Sequence, residues 1–154
     1  MTGEAIRCIY IHIVSSELPY LPCACANLRR AARAVTQMYE EELRGSGLRG
    51  TQFTLLQALE TAGTLSQREL GALLCIDSTT LSRSLQPLLD SGWISEKRGS
   101  DKRERLLSLT AAGKKKITQV TPQWNRAQRR FKRTLGGDAA DLERQLRQIA
   151  SALS

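Results

Sequence analysis

A chain of 154 residues is long enough for one real core with appended helices. Its formal charge of +8 suits a polyanionic partner such as nucleic acid or an anionic membrane surface, although many proteins are basic for solubility alone. Aromatic residues make up only 5%, which disfavours recognition of single strands by base stacking.

No run approaches the 18 or so apolar residues of a membrane span. The nearest, Ile6 to Val14 (IRCIYIHIV), is interrupted by Arg7 and His12 and preceded by Glu4; a secretory signal needs a cleaner apolar block. Residues 1–21 therefore read as an extended arm, and the expected location is cytoplasmic. Cys8, Cys23, Cys25 and Cys75 fit reduced thiols there better than a disulfide framework.

From Cys23 to about Arg44 the pattern is helical. Leu28, Ala32, Val35, Tyr39 and Leu43 share one face, Pro22 suits the first turn, and Gly45-Ser46-Gly47 ends the helix. A second helix, TQFTLLQALETAG, is expected to be capped by Thr51, stopped by Gly63 and buried through Phe53, Leu56 and Leu59. Ser66 and Glu69 form a capping box. It opens a third helix whose Leu70, Leu73 and Leu74 should point inward.

Asp77 or Ser78 caps a fourth helix with a buried stripe of Leu81, Leu85 and Leu88. Thr79, Thr80, Ser82 and Arg83 are left facing outward near its start. Small hydroxyls and one arginine at a helix N-terminus let a backbone approach DNA closely, and the helix dipole favours a phosphate there. Pro87 should kink or loosen the helix, but only after these turns, and Gly92 ends it.

Two alternating segments follow, Trp93–Lys97 and Arg105–Leu109, around a charged tip of Arg98-Gly99-Ser100-Asp101-Lys102-Arg103. Standing alone, such a tip is as well read as a solvated turn; after a helix-turn-helix it reads as a wing. Thr110 can cap a long helix in which Ile117, Val120, Trp124, Ala127, Phe131 and Leu135 form an apolar seam and Pro122 a kink. Lys114–Lys116 and Arg126, Arg129, Arg130 and Arg133 read as solvated charge. Gly136-Gly137 breaks the chain, and Asp138 is placed to cap a last helix with Leu142, Leu146, Ile149 and Leu153 on one side. Neither terminal seam has enough partners within one chain, so a homodimer is expected.

The fold class is thus mainly α with a small β-wing: a winged helix-turn-helix at 51–110, a first dimerisation helix at 22–50 and C-terminal dimerisation helices at 111–154. This order, with LGALLCIDSTTLSRSLQPLLDSGWI followed by DKRERLLSLTAAG, resembles the MarR family of bacterial transcriptional regulators from about Cys23 onward. The resemblance implies a homodimer on a palindromic operator in double-stranded DNA, with the recognition helices in successive major grooves. It places Ser78, Thr79, Thr80 and Arg83 on the recognition helix. Arg103 becomes the wing-tip arginine of the minor groove, with Asp101 bracing it. Lys102 and Arg98 fall where phosphate contacts position the protein. The arm has no counterpart there.

The family also implies release of DNA by a small phenolic effector or by cysteine oxidation. The stretch PCACANLRRAARAVTQMYEEEL is similar to the first helix of organic-hydroperoxide-sensing members. Aligned on Thr36 and Tyr39, their oxidised cysteine falls on Cys25, and Tyr39 matches one of two assisting tyrosines; the other position holds Arg29. A thiol in the first turn of a helix beside Arg29 is expected to be the more reactive kind. Cys23 and Cys25 would point about 200° apart on a helix, which is poor geometry for a disulfide or a shared metal. The bland alternative is that both are small residues at a helix–helix contact, with Cys75 in the core.

No cofactor is called for and no enzyme is expected. His12 is the single histidine, and no G-x-x-x-x-G-K-[ST] or C-x-x-C is present. Two alternatives stay open: a thiol peroxidase-like enzyme using Cys25, and a nonspecific architectural DNA-binding protein.

Overall fold

The computed structural model of the protein describes residues 22–99 and 104–153. The arm 1–21, with Cys8 and His12, and the wing-tip residues Asp101, Lys102 and Arg103 lie outside these. Two compact units divide the chain between Ala34 and Val35. The described part of the first unit is the beginning of helix α1 (Ala24–Glu42), which has no buried residue along its whole length.

The second unit continues α1 and adds α2 (Gly50–Ala62), β1 (Leu65–Ser66), α3 (Gln67–Leu74), α4 (Ser78–Asp90), β2 (Ile94–Arg98), β3 (Arg105–Leu109), α5 (Ala111–Leu135), a 3₁₀ turn at Gly136–Asp138 and α6 (Ala139–Leu153). The strands form one antiparallel sheet in the order β1-β3-β2. In it Leu65 faces Leu107, and the hairpin register runs from Ile94 opposite Leu109 to Arg98 opposite Arg105. The two-residue strand β1 is not evident in the sequence, because two residues carry no alternation and only the pairing with β3 makes them a strand.

One core gathers Phe53, Leu55, Leu56 and Leu59 of α2, Leu70 of α3, and Leu81, Leu85 and Leu88 of α4. Ile94 and Leu107 of the sheet close it on one side, and Ile117 and Val120 of α5 on another. Each fully buried leucine contributes about 1.5–3 kcal/mol of transfer free energy, so this lobe supports itself. Trp124 adds an aromatic contact, with ring centroids 4.8 Å from both Tyr39 and Phe53.

The caps follow the expected chemistry at three starts and depart from it at one. Ser66 Oγ accepts from Glu69 N while Glu69 Oε2 accepts from Ser66 N. Asp77 Oδ1 accepts from Thr79 N and Thr80 N at 3.0 and 2.9 Å, and Thr110 Oγ1 accepts from Gly113 N. Helix α2 instead begins at Gly50, not after Thr51. Its leading amides are taken by Gln52 Oε1, which accepts from Arg49 N, and by Glu40 Oε1 of α1, which accepts from Gly50 N at 2.7 Å. Pro87 and Pro122 both lie inside helices that continue past them. Asp138 ends the 3₁₀ turn that leads into α6.

Leu73 of α3 and Cys75, just past its end, stand opposite to the expected burial. Leu73 is 58% exposed, because an eight-residue helix turns only Leu70 and Gly71 into the core. Cys75 is exposed rather than in the core. It occupies the left-handed conformation at φ 51° that closes the helix, which leads its side chain away from the apolar run before it.

Candidate nucleic-acid interface

Helix α4 has two unlike sides. Leu81, Leu85 and Leu88 are buried, whereas Ser78, Thr79, Thr80, Ser82 and Arg83 are exposed. The helix start is fixed by Asp77. Hydrogen bonds from Thr80, side chain then backbone, and from Thr79 hold its carboxyl below the usual carboxylate range. A carboxylate there also matches the positive end of the helix dipole.

The outward side chains are not equally free. Ser82 Oγ donates to the Ser78 carbonyl at 2.8 Å and accepts from Gln67 Nε2 of α3 at 2.7 Å. Ser84 Oγ donates to the Thr80 carbonyl. Gln67 has no local signal in the sequence, since its partner lies fifteen residues away. Beside this pair an open groove of about 760 Å³ is lined by Gln67, Arg68 and Ala72 of α3, Ser78 of α4, and Glu104 and Arg105 at the wing. Arg98 is exposed at the end of β2, and Arg105 Nε lies 3.5 Å from Glu96 Oε1 across the hairpin. The structure therefore brings the helix start, Gln67 and the wing strands to one groove.

The base of the wing is tightly joined to α5. Thr110 Oγ1 donates to the Gly92 carbonyl at 2.7 Å, and Thr110 N to the Trp93 carbonyl at 3.1 Å. A methyl group on Gly113 would collide with that same Trp93 carbonyl. Lys116, grouped with solvated charge in the sequence, is half-buried. Its ammonium donates to the Ser46 carbonyl at 2.6 Å and stands 4.6 Å from the Trp93 ring centroid. The arginine stripe is indeed exposed, and part of it is paired: Arg130 with Glu41 at 2.9 Å and Arg126 with Glu42 at 3.4 Å.

Cys23 and Cys25 are exposed at the start of α1. Tyr39 is half-buried against Trp124, and burial first and Glu143 second push its phenol pKa up. Tyr39 also lines a cavity of about 340 Å³ with Val35, Thr36, Thr54, Leu74 and Trp124. No group of three or more His, Cys, Asp or Glu among the described residues could hold a metal ion, and no described helix is long and apolar enough to cross a membrane.

A three-helix core with a two-strand wing, an N-terminally capped and outward-facing α4, and long flanking helices define a winged helix-turn-helix. The MarR family model matches residues 48–104. An uncharacterized HTH-type transcriptional regulator of Bacillus subtilis, YwoH, is 31% identical over 93 residues, 60% of this chain and 68% of the relative. The crystal structure of the M. tuberculosis transcriptional regulator MosR in complex with DNA superposes with a TM-score of 0.76 at 32% identity, over 84% of this chain and 95% of that one. Apo MarR from E. coli, at 22% identity and a TM-score of 0.65 over 85% and 98% of the two chains, shares the fold. The chain belongs to the MarR family of transcriptional regulators.

Proposed function

We propose that the protein binds a palindromic operator in double-stranded DNA as a homodimer and regulates transcription, most simply as a repressor. The observation that carries this reading is the two-sided α4, locked into the core by three leucines while its capped first turn and Arg83 face solvent. Ser78, Thr79, Thr80 and Arg83 then meet base edges and the nearest phosphates in the major groove. Arg98 and Lys102 meet phosphates, and Arg103, braced by Asp101, enters the minor groove. The related M. tuberculosis regulator MosR has been crystallised in complex with DNA, which supports the DNA-binding reading. Dimerisation is supported by α6, where Leu146, Ile149 and Leu153 are all exposed in the single chain.

The test is an anisotropy titration on the DNA upstream of the gene, against a scrambled duplex. A preference on the order of a thousandfold is expected. Equal affinity for both duplexes would make this a nonspecific architectural protein. Arg103→Ala should weaken binding without lowering the melting temperature.

Two signals for release have support in the structure. The exposed Cys25 thiol can attack the distal oxygen of an organic hydroperoxide, which breaks the O–O bond and gives the sulfenic acid and an alcohol. Tyr39, with its phenol protonated, is a hydrogen-bond donor at neutral pH. The cavity beside Tyr39 is the right size for one small aromatic molecule. Among the described residues its lining holds threonine hydroxyls and no arginine or lysine, so a neutral phenol suits it better than an anion. Hydroperoxide that releases DNA from wild type but not from Cys25→Ser assigns the thiol. Release by a phenol in both proteins assigns the cavity. Turnover of hydroperoxide with a thiol reductant would instead make the chain a peroxidase.

A further inference from the structure

Gln67 lies at the first position of α3, outside the recognition helix, yet its side chain ends on that helix. Its Nε2 donates to Ser82 Oγ at 2.7 Å, and the Ser82 hydroxyl proton is directed to the Ser78 carbonyl at 2.8 Å. A serine hydroxyl has one proton and two acceptor positions. With the proton used within α4 and one acceptor position taken by Gln67, Ser82 has a single acceptor position left for a ligand. Gln67 and Ser78 line the groove between α3, α4 and the wing, and Ser82, exposed one turn along α4 from Ser78, is joined to both.

We propose that Gln67 is a specificity-determining positioning residue: it locks Ser82 as a pure hydrogen-bond acceptor, so that α4 selects a base bearing an exocyclic amine at one position of each half-site. In the major groove adenine N6 and cytosine N4 are donors, whereas guanine O6 and N7 and thymine O4 accept. A free serine hydroxyl rotates to suit either kind and discriminates little. Donation by Gln67 closes one of the three hydroxyl positions to the Ser82 proton and strengthens the bond it makes to the Ser78 carbonyl. Turning the proton outward would give up that bond and set two oxygens against each other, so Ser82 leaves guanine or thymine oxygens facing an oxygen. Gln67 therefore acts through Ser82, and its loss should broaden base preference rather than abolish binding. This inference rests on the DNA-binding reading of α4.

The experiment is selection of preferred duplexes from a random double-stranded library with wild type, Gln67→Met, Ser82→Ala and the double variant. Titrations on the selected duplex and its single-base changes follow. Gln67→Met keeps the length of the side chain and removes the donor. Wild type should prefer adenine or cytosine at one position per half-site by about tenfold over guanine or thymine. That preference should flatten at the same position in all three variants, with the rest of the selected sequence retained and the double variant no worse than the single ones. An unchanged preference in Gln67→Met would overturn the proposal. So would a uniform loss across all duplexes, which is what a merely structural brace produces. A wild type that selects no sequence would overturn the operator reading itself, and this inference with it.

Discussion

Helices α4 and α6 carry the same kind of apolar stripe and meet opposite fates. In α4 the stripe of Leu81, Leu85 and Leu88 is at most 3% exposed; in α6 Leu146, Ile149 and Leu153 are 41–84% exposed. Periodicity reports that a helix has an apolar side, not what covers it. The winged lobe folds its stripe against α2, α3 and the sheet of its own chain. The last helix presents its stripe to something else, and a second copy is the occupant consistent with the family.

The contrast breaks most visibly at α6. Leu146→Glu combined with Ile149→Glu should weaken dimerisation by about a hundredfold or more. Sedimentation would then show monomers at concentrations where wild type is dimeric, with the helical signal of the winged lobe retained. Unchanged dimers in the variant would place the interface elsewhere. In α4 the corresponding lesion acts within the chain: Leu88→Ala should cost about 2–5 kcal/mol of unfolding free energy in urea. Gly113→Ala tests the joint between wing and α5. Its new methyl group meets a backbone carbonyl that cannot swing aside, so a loss of about 1–3 kcal/mol is expected; a neutral result would show that the joint is loose.

The smallest effect is a matter of pH. Hydrogen bonding lowers the pKa of both Asp77 and Glu69, by Thr80 and Ser66 respectively. A carboxylate with a depressed pKa in the folded state contributes stability that is present above its unfolded value, about 4, and lost as pH falls through the lower folded value. The melting temperature should therefore decline in this acid range. The gap between wild type and Asp77→Ala should narrow as the cap carboxylate is protonated. A gap that stays constant down to pH 2 would mean that charge at this cap contributes nothing.

What the sequence discloses is what is decided locally. The caps at Ser66, Asp77 and Thr110 and the leucine stripe of α4 depend on residues within a turn or two, and all are found. Cys75 misleads because an apolar run implies burial only while the helix continues, and this one stops at Leu74; Leu73 misleads because so short a helix turns only Leu70 and Gly71 into the core. Gln67, Glu40 and Lys116 have partners ten to seventy residues away, and no pattern along the chain announces such pairs. For the candidate interface, the outward face of α4 is readable from spacing, but the bond that restrains Ser82 is not.

The two tryptophans of the chain happen to report on different places. Trp93 lies under the Lys116 ammonium at the root of the wing, while Trp124 is wedged between Tyr39 and Phe53 beside the cavity. Indole emission shifts with the charge and polarity around the ring. A Trp124→Phe variant would therefore glow only from the wing root, and a Trp93→Phe variant only from the cavity wall. The protein thus carries two unlabelled optical gauges, able to show in which order a bound effector and a bound duplex are felt along the chain.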